Sequence, residues 1–160
     1  MKLTELTCRE EILAAYEIYQ DCMYRPTEDR FRRKMEGYLA DPGVRIWACR
    51  RDASTVGLAV VATGAETAEL LGIAVARPLR RQGRGSCLLR SLALAVSPKP
   101  LLAETDADAV DFYRRCGCQI TAFAETYDGQ PVTRYRCLLK ADSGTCYEFT
   151  AADIEKIIML

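Results

Sequence analysis

The chain has 160 residues, 49% hydrophobic and 28% charged, a composition that suits one globular domain with its own core better than two. Lys+Arg and Asp+Glu balance at 22 each, so no net field pulls the molecule towards nucleic acid or an acidic membrane, and any cationic site must be local. There is no histidine, which excludes Ser-His and Cys-His nucleophiles and argues against a zinc enzyme.

The opening stretch, "MKLTELTCREE", has no apolar signal core, and no run approaches a membrane span. A cytoplasmic protein without a membrane partner is expected. Within that stretch, Thr7 to Glu10 reads as a capping box, followed by Ile12, Tyr16, Tyr19 and Met23 at helical spacing. Pro26 and Thr27 open a second helix with Phe31, Met35, Tyr38 and Leu39 on one face, stopped by Asp41–Gly43. The period then changes to two: Val44, Ile46 and Ala48 alternate with Arg45 and Trp47. After the polar turn "RRDAS", "TVGLAVVAT" completes a hairpin.

Ala68 to Val75, "AELLGIAV", is nearly continuous apolar sequence, as expected of a strand covered on both faces. A helix from Gly85 shows Leu88, Leu89, Leu92, Ala95 and Val96 on one side and ends at "SPKP". Leu101 to Thr105 is a second short buried strand. Asp106 and Asp108 suit the start of a helix that runs through Val110 and Tyr113 to Gly117. "QITAFAETY" and "TRYRCLLK" flank Asp128 and Gly129 as a last hairpin, and the tail "TAADIEKIIML" could form a short capped helix. Strand, helix, strand in succession requires a parallel pair with a crossover, whereas the hairpins require antiparallel pairing. A mixed α/β sheet follows.

Cysteines stand at Cys8, Cys22, Cys49, Cys87, Cys116, Cys118, Cys137 and Cys146. No pair has the two-residue gap of a zinc knuckle or a dithiol redox motif, and most lie in apolar patterns, where Cys acts as a small hydrophobe. Cys116 and Cys118 admit a metal or redox reading, but no second ligand cluster accompanies them.

Between the buried strand and the following helix lies "RRQGRGS", Arg80 to Ser86. A helix N-terminus already carries partial positive charge, so three arginines there call for an anion. Exposed amides, close approach at glycine and guanidinium groups together suit a phosphate or pyrophosphate. The bland alternative is a solvated helix entrance. A P-loop is excluded because "GRGS" lacks lysine, and a dinucleotide fingerprint because Leu88 takes the place of the third glycine.

Arg80-Arg81-Gln82-Gly83-Arg84-Gly85 resembles the acyl-coenzyme A loop of the GNAT N-acetyltransferases: Gln or Arg, two residues, Gly, one residue, then Gly or Ala. "LLGIAV" before it and "DFYRRCGC" after it resemble that family's flanking segments, and the likeness extends over most of residues 1–140. It implies a mixed, mostly antiparallel sheet of about six or seven strands, its central parallel pair splayed at the cofactor cleft, flanked by about four helices. It implies one acyltransferase domain over 1–160, with 141–160 as a C-terminal extension. Acetyl-CoA is the implied acyl donor, with no metal and no nucleic acid, and a homodimer is left open.

By the same resemblance, the main chain of Arg80, Arg81, Gln82, Gly83, Arg84, Gly85 and Ser86 holds the pyrophosphate. Ile73 and Val75 pair with the pantetheine arm, and the Val75 amide stabilises the oxyanion. Tyr113 matches the tyrosine that donates a proton to the coenzyme A sulfur. A base or a desolvated site must remove the proton of the attacking amine, and without histidine a carboxylate can do so, directly or through water. Glu104 is preferred for this over Glu69. Glu69, Glu104, Asp106 and Asp108 could together attract a cationic amine. Two positions depart from the family pattern: Asp106 replaces a frequent asparagine, and Cys118 replaces a large aromatic. The expected activity is acetyl transfer to a small-molecule or peptide amine by direct attack in a ternary complex. The rivals are a non-catalytic acyl-CoA sensor or docking module and, more weakly, an RNA-binding patch.

Overall fold

Residues 2–141 are described by a computed structural model of the chain. They contain seven strands: β1 (Lys2–Leu6), β2 (Val44–Arg51), β3 (Ser54–Thr63), β4 (Ala68–Val75), β5 (Leu101–Thr105), β6 (Gln119–Tyr127) and β7 (Gln130–Leu139). These form one sheet in the order β1-β2-β3-β4-β5-β7-β6. Only β4 and β5 run parallel; the other neighbours are antiparallel. Five α-helices cover it: α1 (Arg9–Leu13), α2 (Tyr16–Tyr19), α3 (Glu28–Ala40), α4 (Arg84–Ala95) and α5 (Val110–Arg115). The mixed sheet with one central parallel pair is the architecture the resemblance implies.

The sheet is covered on both faces, which explains the unbroken apolar run of β3. Ile46, Ala48, Leu58 and Val60 meet Ile12, Tyr19, Phe31 and Met35 from α1 to α3 on one side. On the other, Val61, Leu70, Leu101 and Ala103 meet Leu88, Leu89 and Leu92 of α4 and Tyr113 of α5. Trp47 packs against this second core, so the strand alternation seen in sequence separates two interiors and does not separate core from solvent.

Pairing between β4 and β5 runs from Ala68↔Leu101 to Leu70↔Ala103 and then ends. Immediately beyond, the β3–β4 register shifts: Val61 faces Leu70 but Val60 faces Gly72, leaving Leu71 as the extra residue of a bulge. A bulge bends its strand and increases its twist. The remainder of β4, to Val75, therefore leaves β5 behind and opens the gap in which the site lies.

Several sequence expectations hold locally. Thr27 caps α3, its hydroxyl accepting from the Arg30 amide at 3.2 Å. Asp128 and Gly129, with φ of 49° and 76°, form a two-residue hairpin turn of the type that needs two left-handed residues. The start of the chain differs. Residues 2–6 form β1 on the edge beside β2, and the capping box does not form. Cys8 occupies the N-cap of α1, and Glu10 accepts from the Cys8 thiol at 3.1 Å. The helix expected to continue through Met23 is broken into α1, α2 and a 3-10 turn at Gln20–Cys22. The helix expected at 150–160, and Cys146, lie outside the described residues.

Candidate functional site

Past the bulge, β4 has a partner on one side only. The Ala76 amide bonds to Val56 of β3 at 2.9 Å, so by strand alternation the amide and carbonyl of Val75 face the other way, into the gap, as do those of Ile73. Arg80 confirms the direction: its Nε donates to the Val75 carbonyl at 2.7 Å. The two residues expected to bond an extended ligand thus present main-chain groups to the open side.

After β4 the chain makes a 3-10 turn at Arg77–Leu79 and enters α4 through the arginine loop. Arg81 has φ of 62° and Gly83, the N-cap, φ of 74°. Gly83 is needed for this backbone, since a Cβ there would meet nothing within 4 Å. Gly85 serves packing: a Cβ would lie 3.2 Å from the Phe112 ring. The helix's own bonding begins with the Cys87 amide to the Gly83 carbonyl at 3.0 Å, so the Arg84, Gly85 and Ser86 amides have no acceptor within the helix. The Nε of Arg84 is buried without a protein partner among the described residues. Such a cradle fits a pyrophosphate. The Arg80 amide is committed elsewhere, to the Arg77 carbonyl at 3.2 Å, and the Gln82 side chain bonds the Pro78 carbonyl at 3.1 Å.

Tyr113 comes from α5, whose end is fixed by two bonds around Gly117 (φ 87°): Gly117 amide to Arg114 carbonyl and Cys118 amide to Tyr113 carbonyl, each 3.1 Å. Its ring is buried, edge-on to Phe112 at 5.0 Å. Burial holds the phenol above its ordinary range, with smaller contributions from Cys137, Cys118, Cys116 and, from the opposite wall, Cys22. Cys118, standing where the resemblance expects an aromatic, fills the same core, and burial pushes its thiol up to about 12. Cys116 is also buried and donates to the Ser86 hydroxyl at 3.3 Å.

One side of the gap is walled by the turn at Gln20–Cys22. The resemblance implies that the first two helices, with the segment from Cys22 to Phe31, and the final hairpin shape an acceptor pocket, but the sequence does not show that this turn lies across β4. The Cys22 thiol donates to the Tyr19 carbonyl at 3.1 Å, and its sulfur also faces the Ile73 amide. Tyr19 is packed so tightly that a Cβ on Gly72 would lie 2.0 Å from its hydroxyl.

The four acidic residues have different local partners. Glu104 bonds Arg136 Nε at 2.9 Å, from the residue directly across the ladder, and that guanidinium lies over Phe123 at 4.5 Å. Asp106 accepts from the Asp108 and Ala109 amides at 3.0 and 3.2 Å, which makes it a turn-forming residue. Asp108 is exposed. Glu69 is exposed on β4 and has no ion-pair partner among the described residues. It lies near Tyr38 of α3, whose phenol is pushed up by burial, by Cys22 and by Glu69.

Residues 12–118 match the model of the acetyltransferase (GNAT) family, and the chain belongs to that family of transferase enzymes. Solved structures with the same fold include a GNAT family acetyltransferase from Elizabethkingia anophelis with acetyl-CoA bound (19% identity, TM-score 0.65, covering 87% of this chain and 97% of that one). A mutant spermidine N-acetyltransferase, SpeG, from Vibrio cholerae matches at 14% identity and TM-score 0.68, over 88% and 95% of the two chains. A Bacillus subtilis acetyltransferase in complex with CoA matches at 18% identity and TM-score 0.60, over 87% and 96%. No curated protein matches the chain by sequence. No helix among the described residues is long and apolar enough to cross a membrane.

Proposed function

We propose that this protein transfers the acetyl group of acetyl-CoA to a primary amine by direct attack within a ternary complex. The observation that carries the proposal is the meeting, along one gap, of the unpaired edge of β4, a cationic helix entrance and a buried phenol. Acetyl-CoA supplies an activated acyl carbon on a thiol leaving group. The amides from Arg81 to Ser86, with the guanidinium of Arg84, hold the pyrophosphate, and Ile73 and Val75 bond the pantetheine arm as a strand would. The Val75 amide, fixed in the sheet, donates to the carbonyl oxygen as negative charge develops there.

Tyr113 keeps its proton because burial disfavours the phenolate, so it can deliver that proton to the departing sulfur. An amine arriving as ammonium must lose a proton near neutrality, since alkyl ammonium groups have pKa values of about 10. Glu69 is the favoured acceptor for it, directly or through water. Glu104, preferred on sequence, has one oxygen already engaged by Arg136. The described cysteines are free thiols, which agrees with a reducing, cytoplasmic setting.

The test is an acetyl-CoA-dependent thiol-release screen over amines and peptides, spermidine among them, with mass spectrometry of products. Acetylated amine appearing with stoichiometric thiol is the expected result. Tight acetyl-CoA binding with no product across the panel would replace the enzyme by a sensor, and absence of binding would remove the groove assignment.

A further inference from the structure

Asp21, on the 3-10 turn that walls the gap, receives three hydrogen bonds from two arginines of the opposite segment. Arg77 grips it side-on, Nε to Oδ2 at 2.9 Å and Nη2 to Oδ1 at 2.7 Å. Arg80 donates to the same Oδ2 through Nη2 while its Nε holds the Val75 carbonyl. Those bonds, that of Arg77 first, hold the Asp21 carboxyl well below the usual carboxylate range. An isolated surface ion pair contributes little, but a forked pair sharing one carboxylate with a second guanidinium has a defined geometry. The Asp21 side chain is only 24% exposed, against 69% for Arg77.

Arg80 is the first residue of the anion-binding loop, yet its amide and two of its five side-chain N–H donors are engaged by other parts of the protein. It therefore acts as a strut between the end of β4, the loop and the turn. The turn is seated on β4 through its neighbours, with Tyr19 against Gly72 and Cys22 against Ile73. Asp21 is where that seat is tied to the loop.

We propose that Asp21 is a positioning residue: by holding Arg77 and Arg80 it fixes the entry of the anion-binding loop and couples it to the acceptor-side turn, so that acetyl-CoA bound at the loop also orders Gln20–Cys22. The proposal rests on the reading above that acetyl-CoA occupies the gap. It is tested by calorimetry with acetyl-CoA and by hydrogen–deuterium exchange on wild type, Asp21→Asn, Asp21→Glu, Arg77→Gln, Arg80→Gln and the Asp21→Asn/Arg80→Gln pair.

Loss of charge-assisted bonds should weaken acetyl-CoA about tenfold in Asp21→Asn and less in Arg77→Gln, with partial recovery in Asp21→Glu. Asp21→Asn should cost less in the Arg80→Gln background than in wild type, because only the Arg77 fork is then left to lose. Acetyl-CoA should slow exchange at residues 20–23 in wild type but not in Asp21→Asn, while slowing residues 81–87 in both. Arg77 is largely exposed, so Arg77→Gln keeps the test sharp should Asp21→Asn fold poorly. Wild-type affinity and an undiminished exchange response in Asp21→Asn or Arg77→Gln overturn the coupling alone. A wild-type protein that does not bind acetyl-CoA overturns the reading on which the coupling rests, and the coupling with it.

Discussion

Tyr113 and Glu69, the proposed acid and base, differ in environment. Tyr113 sits in a core of thiols and apolar side chains where only its neutral form is tolerated, whereas Glu69 lies at a solvent-reached position on β4. Tyr113→Phe keeps the packing and removes the proton, so turnover should fall by about 10² or more while the acetyl-CoA dissociation constant stays within about twofold. Steady-state kinetics beside calorimetry checks this; unchanged turnover takes Tyr113 out of the mechanism. Glu69→Gln should lower turnover by about 10² or more, and Glu104→Gln should leave it nearly unchanged in the same assay; the reverse pattern returns the base to Glu104. Gly72 carries a different constraint. An added methyl would strike the Tyr19 hydroxyl, so Gly72→Ala should cost about 1–3 kcal/mol in urea unfolding, a loss that Tyr19→Phe relieves in part.

At the scale of elements, the two loop glycines look alike in sequence and differ in cause. Gly83→Ala meets no neighbour but must hold a left-handed φ, a strain of about 1 kcal/mol. Gly85 abuts Phe112, so a larger residue would push α4 from α5, which carries Tyr113. Gly83→Asp and Gly85→Asp each add a negative charge beside the pyrophosphate and should abolish acetyl-CoA binding by calorimetry; wild-type affinity in either would defeat the loop assignment. Elements were legible in sequence where a local signal agreed with packing, as at the Thr27 cap, the Asp128–Gly129 turn and the cap at Gly117. β1 was hidden because a five-residue edge strand offers only Leu3 and Leu6 as a pattern, and a cap-like tetrapeptide follows it. Its pairing with β2 is a long-range bond, which no local propensity reports.

For the whole molecule, the buried thiols and phenols set an alkaline limit. Cys118 stands at about 12 against 9.0 for a free thiol, and Tyr19 and Tyr113 are likewise raised. Above pH 9.0 the unfolded chain gives up protons that the native protein retains. The unfolded state then binds fewer protons, and stability must fall as pH rises. The stabilisation is complete below about 9 and is lost as pH climbs towards 12, with Cys118 alone contributing a slope of up to about 1.4 kcal/mol per pH unit. Urea melts at pH 8, 9 and 10 should show this decline, and Cys118→Ala should flatten it; an unchanged slope would mean that the thiol is not buried as described.

The sequence alone determined the order of most elements, the need for one parallel pair, and the cationic character of the α4 entrance. Each of these depends on hydrophobic period, turn chemistry or the charge at a helix start, which are properties of neighbouring residues. The tertiary structure decided which carboxylate is unencumbered, which arginines meet Asp21, and where the gap opens. Those outcomes depend on which residues distant in sequence meet: Arg136 across from Glu104, Asp21 against Arg77 and Arg80, Tyr19 on Gly72. Contacts of that kind exist only once the sheet and its helices have packed together.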